Sequence, residues 1–163
     1  MTVNTKTAQG RRTVRYESFD DLLAEAEQLA AGEITCLGNW SPGQVFDHLG
    51  RSLEVSIDGG APKPPLPVRL VANLFFRKKF IYESVPSGFQ ISNSAAKFFK
   101  PEDGVETQQG LEKLRNGVER CKAEEKRADH PIFGKISKAE WDSFSLRHAE
   151  MHMSFLKPAG GES

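Results

Sequence analysis

The 163-residue chain has few devices that would staple it together or steer it to a polyanion. It has only two cysteines, Cys36 and Cys121, far apart and without the short spacing of a metal knuckle or redox motif. A disulfide framework is excluded, and two free thiols in a reducing, cytoplasmic compartment are expected. Neither sign of charge is in excess, with 22 basic against 22 acidic residues. No long block of one sign offers a footprint for nucleic acid or an anionic membrane, so the expected partner is a small-molecule substrate or another protein. No apolar run approaches the length of a spanning helix, and the polar stretch Met1 to Arg15 lacks the apolar segment of a signal peptide. There is no sustained alternation of a strand, no internal repeat and no low-complexity block.

What is present reads as helices within one domain. Residues 1–16 are rich in Thr, Asn, Gln, Gly and Arg and read as a flexible lead-in with almost nothing to bury; the folded domain spans 17–157, and 158–163 is a tail. Ser18-Phe19-Asp20-Asp21 has the form of a helix start, followed by Leu22, Leu23, Ala26, Leu29 and Ala30 at helical spacing and stopped at Gly32. Ser41-Pro42-Gly43-Gln44 combines a serine cap, proline at the first helical position and the glutamine of a capping box, predicting a second helix from Pro42 to Ile57. After an extended proline-rich connector, Pro62 to Pro67, apolar residues crowd a third helix over Val68 to Tyr82. Arg77, Lys78 and Lys79 near its end read first as a solvated C-terminus that complements the helix dipole, and second as a site for an anion or a thiol cofactor's carboxylate. Ser84 to Gly104 reads as a long loop with Phe89, Phe98 and Phe99 as aromatic anchors, of the kind that lies over a site. A fourth helix over Val105 to Lys126 carries Leu111, Leu114, Val118 and Cys121 on one face. A turn at 129–135 precedes the last helix, which opens with the capping box Ser137-Lys138-Ala139-Glu140 and ends before Pro158. The sum is an all-α bundle of four long helices with one shorter element and a long loop.

His148 and His152, four apart on that last helix, lie one turn apart on one face, close enough to grip a single metal ion. They share a stripe with Trp141, Phe144, Ser145, Met151 and Phe155, which points them inward, where two imidazoles need buried partners and metal coordination satisfies both. His48 shares the apolar face of the second helix with Val45, Leu49 and Ser52 and supplies a third nitrogen. Three histidines with a position left open suit catalysis better than structure, and imidazole suits zinc, nickel, copper and iron alike. His130, in a turn before Pro131, reads as a loop brace rather than a ligand. Asp47 and Glu150 point away from the ligands on a helical wheel and read as solvated, or as partners reaching a neighbouring helix.

Trp40-Ser-Pro-Gly-Gln-Val-Phe-Asp-His48-Leu, then His130-Pro-Ile-Phe-Gly, then Trp141 with His148-x-x-x-His152, resembles the DinB/YfiT-like superfamily over about Ser18 to Phe155. The resemblance implies an up-down four-helix bundle with a zinc or nickel ion held by His48, His148 and His152. It also implies thiol-dependent transferase or isomerase activity with a low-molecular-weight thiol such as bacillithiol or mycothiol, or metal-dependent hydrolysis, and a homodimer. Relatives often carry a further histidine directly before the last ligand, where this chain has Met151. Adjacent helical residues diverge by about 100 degrees, so the change leaves the triad intact and falls on substrate contacts. The alternative is a non-catalytic binding or dimerisation module with a structural or vestigial metal, or a bundle whose histidines bind nothing.

Overall fold

The computed structural model describes residues 2–88 and 93–160, which form α1 (Phe19–Ala30), α2 (Pro42–Asp58), α3 (Leu66–Phe75), α4 (Asn93–Phe99), α5 (Thr107–Ala123) and α6 (Lys138–Met153). Three of these begin as their sequences dictate. Ser18, Ser41 and Ser137 each accept a hydrogen bond from the amide three residues on, and Asp21, Gln44 and Glu140 each accept one from the serine amide. Such a reciprocal cap satisfies two donors that a bare helix end leaves without partners.

The protein is mostly helical, with one addition to the all-α expectation. Ile34–Cys36 (β1) pairs antiparallel with Leu156–Pro158 (β2), Thr35 facing Lys157. Three-residue strands are too short for alternation to show in the sequence, and the pairing ties the chain after α1 to the chain after α6. No helix among the described residues is long and apolar enough to cross a membrane.

Two apolar clusters divide the interior. The larger joins Leu22 and Ala26 of α1, Phe46, Leu49 and Leu53 of α2, Leu114 and Val118 of α5, and Leu146, Ala149 and Met153 of α6. The smaller holds Phe80, Ile81, Phe133, Ile136 and Trp141. Helix α2 packs closest against α5, because glycines face one another: an added Cβ at Gly110 would lie 2.2 Å from the Gly43 carbonyl oxygen, and one at Gly50 would lie 2.5 Å from that of Lys113. Any side chain at these positions would drive the helices apart and carry His48 with them.

The expectation that residues 1–16 contribute almost nothing to bury is corrected. Tyr16 is 4% exposed and belongs to the main core, with Val14 packed beside it. Arg11 donates to Ser154 and Ser87, and Arg12 donates to the Leu156 carbonyl and pairs with Glu25. Composition hid this because the anchoring is polar: guanidinium groups find carbonyls and hydroxyls that only the folded chain assembles.

The third helix also differs. The expected run from Val68 to Tyr82 is divided into α3, which ends at Phe75, and a π-helical turn over Lys79–Glu83. The turn buries Phe80 and Ile81, while α3 buries no residue at all. The stretch expected as a loop over 84–104 contains α4; Phe98 is on the surface, Phe99 is partly buried, and Phe89 lies outside the described residues.

Candidate metal centre

His48 projects from the second turn of α2, and His148 and His152 from the last turns of α6. Their Nε2 atoms meet: His48 Nε2 is 3.3 Å and His152 Nε2 is 3.0 Å from His148 Nε2. Nitrogens bound to one tetrahedral ion at about 2.0 to 2.1 Å stand about 3.3 Å apart, so this spacing fits a shared ion. The group is the cluster of His, Cys, Asp or Glu side chains among the described residues that can hold a metal ion, its ligand atoms all within 4.8 Å of one another.

The tautomer of His48 follows from its neighbour. Its Nδ1 lies 2.8 Å from the Phe99 carbonyl oxygen, which can only accept. The proton therefore sits on Nδ1, and the Nε2 lone pair faces the cluster, the orienting arrangement that metal-binding imidazoles use. Ring packing sets the other two: Trp40 stacks on His152 with 9° between planes, and Phe144 on His148 with 14°. Burial keeps all three imidazoles neutral. It pulls His48 down to about 4, with Arg51 adding to the drop and the Phe99 carbonyl opposing it. It pulls His148 down to about 3, aided by His48 and His130, and sets His152 well below its ordinary value. Neutral imidazole is the ligating form, so the cluster needs no deprotonation to bind an ion at neutral pH.

The cluster lies in the wall of a cavity of about 760 Å³. Trp40, Phe80, Phe99, Trp141, Phe144 and Phe155 make most of that wall apolar. The stripe expected to face the bundle interior on α6 instead lines this cavity through Trp141, Phe144, His148, Met151 and His152, while Leu146, Ala149 and Met153 turn into the main core. Helix α6 thus has two inner faces.

His130 braces its turn, as expected: its Nδ1 accepts from the amides of Ile132 and Phe133, each at 3.1 Å. The sequence did not show that it is also 2% exposed, sits among Phe133, Trp141 and Phe144, and lines the cavity. Burial pulls its pKa to about 3. Glu150 is corrected outright. It is buried, accepts from Arg147 Nε at 2.8 Å and receives the Tyr16 amide at 2.7 Å, so it holds the N-terminal segment to α6. Asp47 pairs with Arg51 at 3.7 Å and takes no part in the cluster. Trp40 and the Phe99 carbonyl are the site groups that residue typing missed. Trp40 had a signal, since it directly precedes the Ser41 cap that positions His48; a backbone carbonyl has none.

Among the described residues, no thiol is poised at the cluster. Neither Cys36 nor Cys121 lines the cavity, burial raises both thiols, and the Ser52 hydroxyl donates to the His48 carbonyl.

Fold and site together define a helical protein with a partly buried three-histidine cluster opening on an aromatic cavity. The family model described as a protein of unknown function, DUF1569, matches residues 8–159, and the chain belongs to that family. No curated protein and no solved structure matches the chain.

Proposed function

We propose that this protein is a metal-dependent enzyme, in which His48, His148 and His152 hold one divalent ion, zinc or nickel by preference, with a position left open to the cavity. The observation that carries the reading is the meeting of three neutral imidazole nitrogens at the spacing one ion requires, one of them oriented by the Phe99 carbonyl. A divalent ion held there supplies Lewis-acid chemistry, lowering the pKa of a water or thiol at its open position.

The chain's own residues do the rest. Trp40, Phe99, Phe144 and Phe155 exclude water and favour an apolar or aromatic substrate. His130 carries its proton on Nε2, because Nδ1 accepts from two amides, and burial keeps the ring neutral. It is therefore a hydrogen-bond donor at neutral pH, suited to orient a substrate oxygen rather than to act as a base. Among the described residues no thiol lines the cavity and the Ser52 hydroxyl is engaged by the His48 carbonyl, which favours a nucleophile from outside: water for a hydrolase, or a low-molecular-weight thiol for a transferase.

The finer architecture belongs to the same reading: an up-down four-helix bundle of the DinB/YfiT-like type formed by α1, α2, α5 and α6. In its support, α2 packs along α5 and α6, and α1 along α5 and α6. Two measurements test the function. Protein purified without a histidine tag is expected to hold close to one metal per chain, and no uptake of zinc, nickel or manganese would overturn the reading. A panel of apolar esters, and of electrophiles offered with a small thiol, is expected to show turnover that His148→Ala abolishes. Turnover indifferent to that substitution would remove the mechanism.

A further inference from the structure

Helix α3 is amphipathic with its faces reversed. Arg69, Ala72 and Asn73 turn toward the protein: Asn73 donates to the Ile132 carbonyl at 3.2 Å, and Ala72 packs against the smaller apolar cluster. The opposite arc carries Leu66, Val68, Leu70, Val71, Leu74 and Phe75, all exposed, with Leu70 at 62%, Leu74 at 76% and Phe75 at 67%. A soluble surface rarely leaves so continuous an apolar face uncovered, so it marks a place of interaction.

Charge identifies the occupant. From Gly59 to Tyr82 the chain has five cations, Lys63, Arg69, Arg77, Lys78 and Lys79, and no acidic residue, although the whole chain is balanced. Lys63, Lys78 and Lys79 are exposed at the two ends of the apolar arc, while Arg77 is engaged by Glu140. Antiparallel pairing of two copies through α3 would set Lys78 and Lys79 of one beside Lys63 of the other, with no carboxylate in the segment to answer them. Leucine and phenylalanine flanked by lysine match instead an anionic lipid surface, where the apolar arc enters the acyl boundary and the ammonium groups meet the headgroups. The helix is too short to span and would lie in the interface.

We propose that α3 is a membrane-surface anchor, docking the protein on anionic bilayers with the outward arc of Leu66, Leu70, Val71, Leu74 and Phe75 inserted. The balanced charge of the whole chain argued against a membrane partner; that average conceals a segment of one sign. The aromatic cavity lies beside this anchor, since Phe80 and Ile132 touch both the cavity and the cluster on which α3 rests.

The test is flotation of the purified full chain with vesicles of phosphatidylglycerol mixed with phosphatidylcholine and with vesicles of phosphatidylcholine alone. Binding to the anionic vesicles is expected to be at least about tenfold stronger and to weaken with added salt. The double substitution L70S with L74S is expected to lower binding at least about tenfold, with unchanged circular dichroism and unfolding midpoint, because both side chains are exposed. K78E with K79E is expected to erase the difference between the two vesicles. Absence of binding to either vesicle, or binding unaffected by L70S with L74S, would overturn the proposal. So would a dimer in sedimentation that the serine variant dissociates, which would make the face a self-interface. None of these outcomes depends on metal at the histidine cluster.

Discussion

Helix α6 carries five charged residues and two histidines and buries seven side chains, whereas α3 carries one charged residue and buries none. Partners account for the inversion. The charged groups that α6 takes inside are answered: Arg147 donates to Glu150, and Glu150 also accepts from the Tyr16 amide. Burial of polar groups is tolerated where each is satisfied. For α3, the main core is already closed by other helices, and only its Ala72 and Asn73 side finds a surface to rest on. Apolar content places a helix at an interface; it does not say that the interface lies within the same chain.

The largest expected effect breaks the α6 side of this contrast. Glu150→Ala leaves Arg147 buried without its carboxylate and frees the Tyr16 amide, and should cost about 3 to 5 kcal/mol in urea unfolding. Next, metal should stabilise α6 and leave α3 untouched: at a hundredfold excess over its dissociation constant a bound ion adds about 2.7 kcal/mol, read as a rise in unfolding midpoint that His148→Ala removes. Acid provides the third measurement. The unfolded histidines titrate near 6.5 and the folded ones far lower, so the unfolded chain binds more protons in between. Metal-free stability should be full above pH 6.5 and fall as pH drops toward about 4 for His48 and about 3 for His130 and His148. The slope is about 1.4 kcal/mol per pH unit for each histidine still neutral in the fold. Acid denaturation with no loss between these values would contradict the neutral cluster, and α3 carries no group that titrates in this range.

Smaller effects sharpen the comparison. Ser41→Ala removes the cap of the helix that carries His48 and should cost about 1 kcal/mol with a measurable loss of metal affinity. Leu74→Ser, on the exposed arc, should change stability in solution by no more than about 0.5 kcal/mol. A large destabilisation there would mean that α3 is packed after all.

Local rules were legible along the chain. The serine caps at 18, 41 and 137, the helical faces of α1, α2 and α5, and the shared face of His148 and His152 all follow from spacing of 3.6 residues and from donors that need acceptors. Glu150 shows where such reading stops. A helical wheel separates one face from the other, but α6 is enclosed on more than one side, so a residue pointing away from the histidines still meets Arg147 and the N-terminal segment. His130 shows the same limit: its bracing role is local and was legible, while its place in the cavity wall depends on α6 lying across the turn.

By itself, then, the sequence determined the helical class, three helix starts and the identity of three histidines able to share an ion, because capping and periodicity act over a few neighbouring residues. Only the tertiary structure decided that His48 meets His148 across 100 residues of chain, that a carbonyl from Phe99 sets its tautomer, and that the most apolar helix faces outward. Those outcomes depend on which surfaces remain free after the core closes, and no local pattern records that.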